Sequence, residues 1–356
     1  MKKREKAYLV LSDGTVYQGW RFGAPVNRIG ELVFTTGMCG YIETLTDPSY
    51  GGQIVIQTFP LIGNYGIIPD DFEGEPALFG YAVREYCEKP SNFRCEKTLD
   101  EYLKEKNIPG IYGIDTRAVT VKIREYGVIN AGIFDAVPDN FDELLSYRVD
   151  QDIVHQLSTE TICEKTPVKE KYHVVLMNFG AKKNIGEELV KRGCRVSIVP
   201  SDTKAEEILA MNPDGIMLSN GPGDPADNTG VIVTLQQLIG KKPVFGICLG
   251  HQMAAIALGA KTFKLKYGHR GANQPVKDLL TGRTYITTQN HGYAVDPDTL
   301  PKEAVYRFVN ANDNTCEGID YPGLKCFTVQ FHPEACAGPK DTGFLFDRFV
   351  SMMEEE

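Results

Sequence analysis

The 356 residues carry a net charge of −9, with 42% apolar and 24% charged side chains and no long run of lysine or arginine. Such a composition is ordinary for a soluble globular chain, and its acidic balance argues against nucleic acid or an anionic membrane as the main partner. No apolar stretch approaches the ~20 residues that span a bilayer, and the basic start "MKKREK" leads only to "AYLVL" before a turn, so no signal peptide or membrane anchor is read and the expected compartment is the cytoplasm.

A chain of this length suggests two domains, and the patterning changes about half-way. Residues 1–150 read as a β-rich domain. "AYLVL" and "TVYQGW" flank the turn "SDG" as a hairpin, and "GQIVIQTF" is a further strand closed by Pro60. The spacing predicts a helix in "RAVTVKIREYG" with Gly127 as its stop, and a short one in "NFDELLSYR" capped by Asn140 or Asp139. Residues 151–171 are polar and weakly patterned and are expected to be a linker, or else an extended segment packed on one domain.

From residue 172 to 356 strands and helices alternate. "YHVVLMNFG", "CRVSIVP", "DGIMLSNG" and "PVFGIC" are apolar runs of the kind buried on both faces. Between and after them "AKKNIGEELVKRG", "TKAEEILAM", "TGVIVTLQQLIG" and "HQMAAIALG" have helical spacing, the first ending at Gly193. This order predicts an α/β fold with a mostly parallel sheet covered on both sides. "RTYITTQNHGYAVD", "AVYRFVNAN" and "KCFTVQFHPEA" suggest an antiparallel extension, and "GFLFDRFVSMMEEE" a closing helix.

Nine cysteines occur with no C-x-x-C pair, which argues against a disulfide framework or a zinc site. One of them stands apart. Cys248 lies between Gly246 and Gly250, where an apolar strand turns into a helix. G-x-C-x-G is the thiol form of the nucleophile elbow, in which small flanking residues permit a sharp turn that projects the central side chain into a cleft. The helix that follows offers free N–H groups and a partial positive charge, which favour a thiolate. The alternative is a buried structural cysteine.

A cysteine nucleophile needs a base. Among the six histidines, His332 stands in "FHPEA" with Glu334 two residues on, and in extended backbone both would point the same way. A carboxylate beside an imidazole holds its tautomer and stabilises the imidazolium. His251 is the rival base, three residues from the thiol, although its place on the helix suits a packing role better. "SNGPGDP" at the end of the third strand can present backbone N–H groups to an oxyanion together with that of Leu249, or serve as a plain turn or a phosphate cradle. It lacks the Lys-Ser/Thr of a Walker loop. "QNHGY", with Asn290 and Gly292, is either a site for a small zwitterion or a turn.

Together "GPGDP", "GICLGHQ" and "HPE", in that order, resemble the class I (triad) glutamine amidotransferases over residues 172–356. The resemblance implies a triad of Cys248, His332 and Glu334, with oxyanion donors at Gly223 and Leu249. Upstream, "GELVFTTGMCGYIETLTDPSYGGQIV", "FPLIGNYG" and "IPGIYGIDTRAVT" are similar to the amino-terminal domain of the carbamoyl phosphate synthetase small-subunit family, and "YGHRG" and "QNHGY" fit it too. That likeness implies glutamine contacts at Ser49, Gly221, Gly223, Leu249, Gln252, Asn290, Gly292 and Tyr293. Tyr293 and Phe331 stand where some relatives have phenylalanine and glycine. It further implies a large synthetase subunit as partner, which binds ATP and magnesium and uses the released ammonia with bicarbonate for arginine and pyrimidine synthesis. No metal or organic cofactor is expected on this chain. The other readings are a glutaminase subunit of another amidotransferase, which would lack "TDPSY" and "GIDTRA", and a non-catalytic regulatory subunit, which would be marked by loss of the thiol or histidine.

Overall fold

A computed structural model describes residues 5–355, so residues 1–4 of the basic start lie outside it. The chain divides into two compact units, Met1–Asp150 and Gln151–Glu356.

The first unit contains β1 (Lys6–Leu11), β2 (Val16–Gly23), β3 (Arg28–Thr35), α1 (Tyr41–Leu45), β4 (Gln53–Gln57), β5 (Leu61–Ile62), β6 (Gly80–Val83), β7 (Glu85–Tyr86), α2 (Leu99–Glu105), β8 (Pro109–Tyr112), α3 (Thr116–Tyr126), β9 (Ile129–Phe134) and α4 (Asp142–Ser146). β1 and β2 form the expected hairpin, and the sheet closes into a barrel in the order β1-β2-β8-β6-β4-β3-β9, which leaves no open edge. β5 and β7 pair separately. Val33, Val55, Tyr81 and Leu103 are in its core. α3 is capped by the Asp115 side chain and stops at Gly127, whose φ of 96° suits a residue without a β-carbon. α4 differs from expectation: its cap position is Phe141, with no side-chain hydrogen bond, because Asp139 and Asn140 fall too early to reach the first turn.

The second unit contains α5 (Ile153–Gln156), β10 (Cys163–Lys165), β11 (Tyr172–Met177), α6 (Lys183–Lys191), β12 (Cys194–Val199), α7 (Ala205–Ala210), β13 (Gly215–Leu218), α8 (Thr229–Leu238), β14 (Val244–Ile247), α9 (Leu249–Ala257), β15 (Thr262–Asp278), β16 (Thr284–Val295), β17 (Val305–Asn310), β18 (Cys316–Tyr321), β19 (Cys326–Val329) and α10 (Phe344–Glu354). They build one sheet in the order β10-β12-β11-β13-β14-β19-β18-β17-β15-β16. Residues 151–171 are therefore not a free linker. β10 adds antiparallel to β12 through its backbone, and Val154 of α5 is buried in the core, so one strand ladder and one apolar anchor hold a polar stretch to the second unit.

β12, β11, β13, β14 and β19 run parallel, and their residues alternate between two cores. Val175, Met177, Ile216 and Leu218 face α7, α8 and α9, whereas Val174, Leu176, Met217 and Phe245 face α6 and α10. Phe245 stacks on Phe327 at 4.3 Å and meets Phe346 edge-on at 5.5 Å, which fixes α10 against the middle of the sheet. β15 to β18 form the antiparallel extension. The parallel register brings the carboxyl ends of β11, β13, β14 and β19 to one edge, the place where ligands meet sheets of this kind.

Candidate active site

Cys248 follows the last residue of β14 and caps α9 with φ 53° and ψ −104°, a conformation a residue with a β-carbon adopts only under strain. Two backbone hydrogen bonds hold it: its N–H donates to Val329 O at 2.8 Å, and its carbonyl accepts from the Gln252 N–H at 3.1 Å. The flanking glycines are obligatory for the turn. A β-carbon on Gly250 would lie 2.6 Å from Leu218 Cβ, and one on Gly246 would lie 3.0 Å from Gly250 O. These are the features of a nucleophile elbow.

The same edge supplies the imidazole. Ile247 of β14 pairs with Val329 of β19, and His332 lies three residues beyond that partner. Its Nδ1 is 2.7 Å from Glu334 Oε1, and both side chains are sealed from solvent. The sequence led us to expect extended backbone here. β19 instead ends at Val329 and His332 to Ala335 form a turn closed by the Ala335 N–H to His332 O, which brings the two side chains together just as well. The His332 N–H donates to Thr288 O of β16 at 2.9 Å, and Phe331 packs edge-on against Phe308 at 5.5 Å.

Burial and the nearby Lys182 ammonium both oppose a charge on His332. The Glu334 carboxylate and the Cys248 side chain outweigh them and push the imidazolium up to about 10. Among the described residues Nε2 has no hydrogen-bond partner, while the thiol donates to Asn290 O at 3.7 Å. Thiol and imidazole thus lie close enough to perturb each other without being joined by a closed hydrogen bond. Cys248 is only 2% exposed, so it does not project into an open cleft as the elbow spacing led us to expect, but its surroundings include Asn290 O and His332 as well as apolar side chains.

His251 is no rival base. It is fully buried, its Nδ1 is hydrogen-bonded to Thr328 Oγ1 at 2.7 Å, and burial brings it down to about 3. The ring joins α9 to β19 as a neutral group.

The remaining predicted residues of the second unit gather around this edge. Gly221 lies so tightly against Phe179 that a β-carbon would sit 2.1 Å from its carbonyl oxygen. Gly223 has φ 87°, and a β-carbon there would touch Ile153 of α5 at 3.1 Å. Asp224 caps the next turn by accepting from the Ala226 N–H. Leu249 opens α9, where a helix has no acceptor of its own for the first N–H groups. Gln252 Nε2 donates to Tyr293 O at 2.7 Å and to Gln330 Oε1 at 2.8 Å, which ties α9 to β16 and to the approach to His332. Asn290, Gly292 and Tyr293 are on β16. Ser49 belongs to the first unit, buried in the turn Pro48–Tyr50, where its N–H donates to Asp47 Oδ1 at 2.9 Å.

Sequence reasoning missed Lys182. This lysine caps α6, is 5% exposed and acts directly on the His332 charge. Its position just after an apolar strand, in "NFGAKKN", was the available signal, because the ends of the other parallel strands already carried the candidate site.

The fold and this site define the class: residues 175–352 match the family model described as "Glutamine amidotransferase class-I". Residues 9–133 match a second, "Carbamoyl-phosphate synthase small chain, CPSase domain". The chain is 51% identical over 352 residues to the carbamoyl phosphate synthase small chain of Fusobacterium nucleatum, spanning 97% of this chain and 98% of that one. It is 52% identical over 354 residues to the same-named protein of Bacillus cereus, spanning 98% and 96%. The chain belongs to the carbamoyl phosphate synthase small-chain family.

Proposed function

We propose that this chain is the glutamine-hydrolysing subunit of a carbamoyl phosphate synthase. The observation that carries the reading is the strained Cys248 elbow set against an imidazole whose far nitrogen is held by Glu334 at 2.7 Å. The Cys248 sulfur, as thiolate, attacks the side-chain amide carbon of glutamine. Backbone N–H groups of Gly223 and Leu249 hold the resulting oxyanion, each contributing roughly 3 kcal/mol in comparable sites. His332 donates a proton to the amide nitrogen, the C–N bond breaks, and ammonia leaves a glutamyl thioester. The same imidazole then removes a proton from water as it attacks the thioester, giving glutamate and the free thiol.

Asn290, Gly292, Tyr293, Gly221 and Gln252 are the candidate contacts to the glutamine backbone and amide. With both Nε2 protons of Gln252 committed, its Oε1 is the atom it has for a ligand. The role of Ser49 rests on family resemblance alone.

Ammonia released into neutral water would be protonated and lost, so a large subunit must accept it. That subunit would bind ATP and magnesium and combine the ammonia with bicarbonate, in the cytoplasm, for arginine and pyrimidine synthesis. No helix of the described residues is long and apolar enough to cross a membrane. The test is glutamate release from glutamine by the chain alone and by the chain with carbamoyl phosphate synthase large subunit. Stimulation by that subunit, abolished by Cys248→Ser, is the expected result; a folded complex that releases no glutamate contradicts it.

A further inference from the structure

Behind the strand that carries Asn290 lies a polar cluster, buried except for its Asp313 edge, that the chemistry above does not use. It gathers His269 from β15, Gln289 and His291 from β16, Asn310 from the end of β17, Asp313 from the following turn and Glu317 from β18. His269 Nε2 is 2.7 Å from Asp313 Oδ2, and its Nδ1 is 3.5 Å from Glu317 Oε1. The Gln289 and Asn310 amides donate to the two Glu317 oxygens at 2.8 and 3.1 Å. His269 meets His291 edge-on at 4.9 Å.

The backbone explains why such a cluster is needed. β15 and β16 pair His269 with His291, Arg270 with Asn290 and Gly271 with Gln289, but the register shifts on both sides of this short stretch. A ladder broken at both ends defines a strand weakly. Yet this stretch and its immediate flanks present the Asn290 carbonyl to the Cys248 thiol, the Thr288 carbonyl to the His332 N–H, and Gly292 and Tyr293 beside them. The cluster fastens the stretch to β17 and β18, which join the main sheet through β19.

We propose that His269, held between Asp313 and Glu317, is a positioning residue for glutamine: it sets the placement of residues 288–293 and thereby the affinity of the site. This rests on the glutaminase reading above. A metal ion is the competing use, since His269, His291 and Glu317 offer ligand atoms within 4.8 Å of one another. The directions of the ring nitrogens oppose it. Both nitrogens of His269 face carboxylates, and Nδ1 of His291 faces Tyr293 O at 2.7 Å, so these three nitrogens suit N–H donors and not lone pairs aimed at a common cation.

The charges agree with the geometry. Burial opposes a charge on His269, but Asp313 and Glu317 outweigh it and push the imidazolium up to about 9. Burial raises Asp313, whereas His269 and Thr315 more than reverse that and bring it down to about 2. Burial lifts Glu317 despite His269, Asn310 and Gln289, and burial with the His269 charge keeps His291 well below its usual range. Arg270, on the same strand as His269, adds a further positive charge beside His291.

The test uses the complex with its large subunit and compares wild type, His269→Asn and Asp313→Asn in steady-state glutamine hydrolysis, with alkylation of Cys248 by iodoacetamide as a second readout. Expected is a KM for glutamine raised about tenfold or more with kcat and the alkylation rate changed less than about threefold, as for loss of ground-state positioning. In the wild type KM should also rise as pH passes about 9, and that rise should vanish in His269→Asn. Asp313→Asn keeps the imidazole in place and guards against a simple folding failure of the other variant. If the wild type hydrolyses glutamine and KM is unchanged in both variants, the positioning role is overturned and the glutaminase reading stands. A wild-type complex that hydrolyses no glutamine overturns both. A wild-type KM that responds to EDTA and is restored by zinc overturns the positioning role in favour of a metal site.

Discussion

Cys248 holds the backbone strain of the site: its φ is 53°, and contacts of 2.6 and 3.0 Å await any β-carbon at Gly250 and Gly246, so only the two glycines that flank the thiol permit the turn. His332 and Glu334 were legible as a pair because they are two residues apart. Their geometry was not, because a turn and an extended strand can present the same two side chains to each other. Lys182 was illegible as a functional group, since burial of a lysine depends on elements that fold over it. Glu334→Gln removes the carboxylate that raises His332, so the alkaline limb of kcat/KM should move from near pH 10 toward the ordinary imidazole range, with kcat at neutral pH reduced about tenfold or less; a pH–rate profile checks it. His251→Asn removes a buried hydrogen bond to Thr328 and not a base, so it should cost about 1–2 kcal/mol in urea unfolding while leaving that alkaline limb where it was.

Element by element, the parallel half was readable because each of its strands is a continuous apolar run followed by an amphipathic helix. β15 and β18 were not. "TFKLKYGHRGANQPVKD" alternates poorly because its pairing is broken twice, and "CEGIDY" hides Glu317 and Asp320 in a strand whose burial depends on partners distant in sequence. Residues 151–171 could be read from their polar composition as a linker or as an extended segment packed on one domain; the second holds, because β10 is an edge strand, a position that tolerates polar side chains. The helix–strand joint at the elbow yields a direct test: Gly250→Ala forces α9 from β13, where the new methyl would lie 2.7 Å from Leu218 O, and should cost about 1–3 kcal/mol in chemical denaturation and most of the glutaminase activity. α10 is held to β18 by paired bonds from Arg348 to the two Asp320 oxygens, each 2.9 Å, with the guanidinium 4.1 Å above the Phe327 ring. Arg348→Met should lower stability by about 1–3 kcal/mol and leave KM for glutamine unchanged, as unfolding curves and steady-state kinetics would show.

For the molecule as a whole, the buried histidines set a stability maximum in pH. His269 and His332 are raised from 6.5, so what they contribute is complete below that pH and is lost as pH rises through about 9 and about 10. His251 is depressed, so the unfolded chain takes up its proton first and stability falls as pH drops from 6.5 toward 3. Urea midpoints should therefore peak near pH 6–7 and fall on both sides. At this scale the sequence carried the two-unit division and the family, because three ordered motifs and a long amino-terminal match are hard to produce by chance. It did not carry the closed barrel or the sheet order, which depend on pairings between distant strands. The mechanism requires one sulfur, that of Cys248, to bear the glutamyl group. When the complex is mixed with glutamine, quenched in acid during turnover and mapped by peptide mass spectrometry, a glutamyl adduct is expected on the peptide containing Cys248, absent after Cys248→Ser. An adduct on any other cysteine, or undiminished glutamate release from the serine variant, would contradict it.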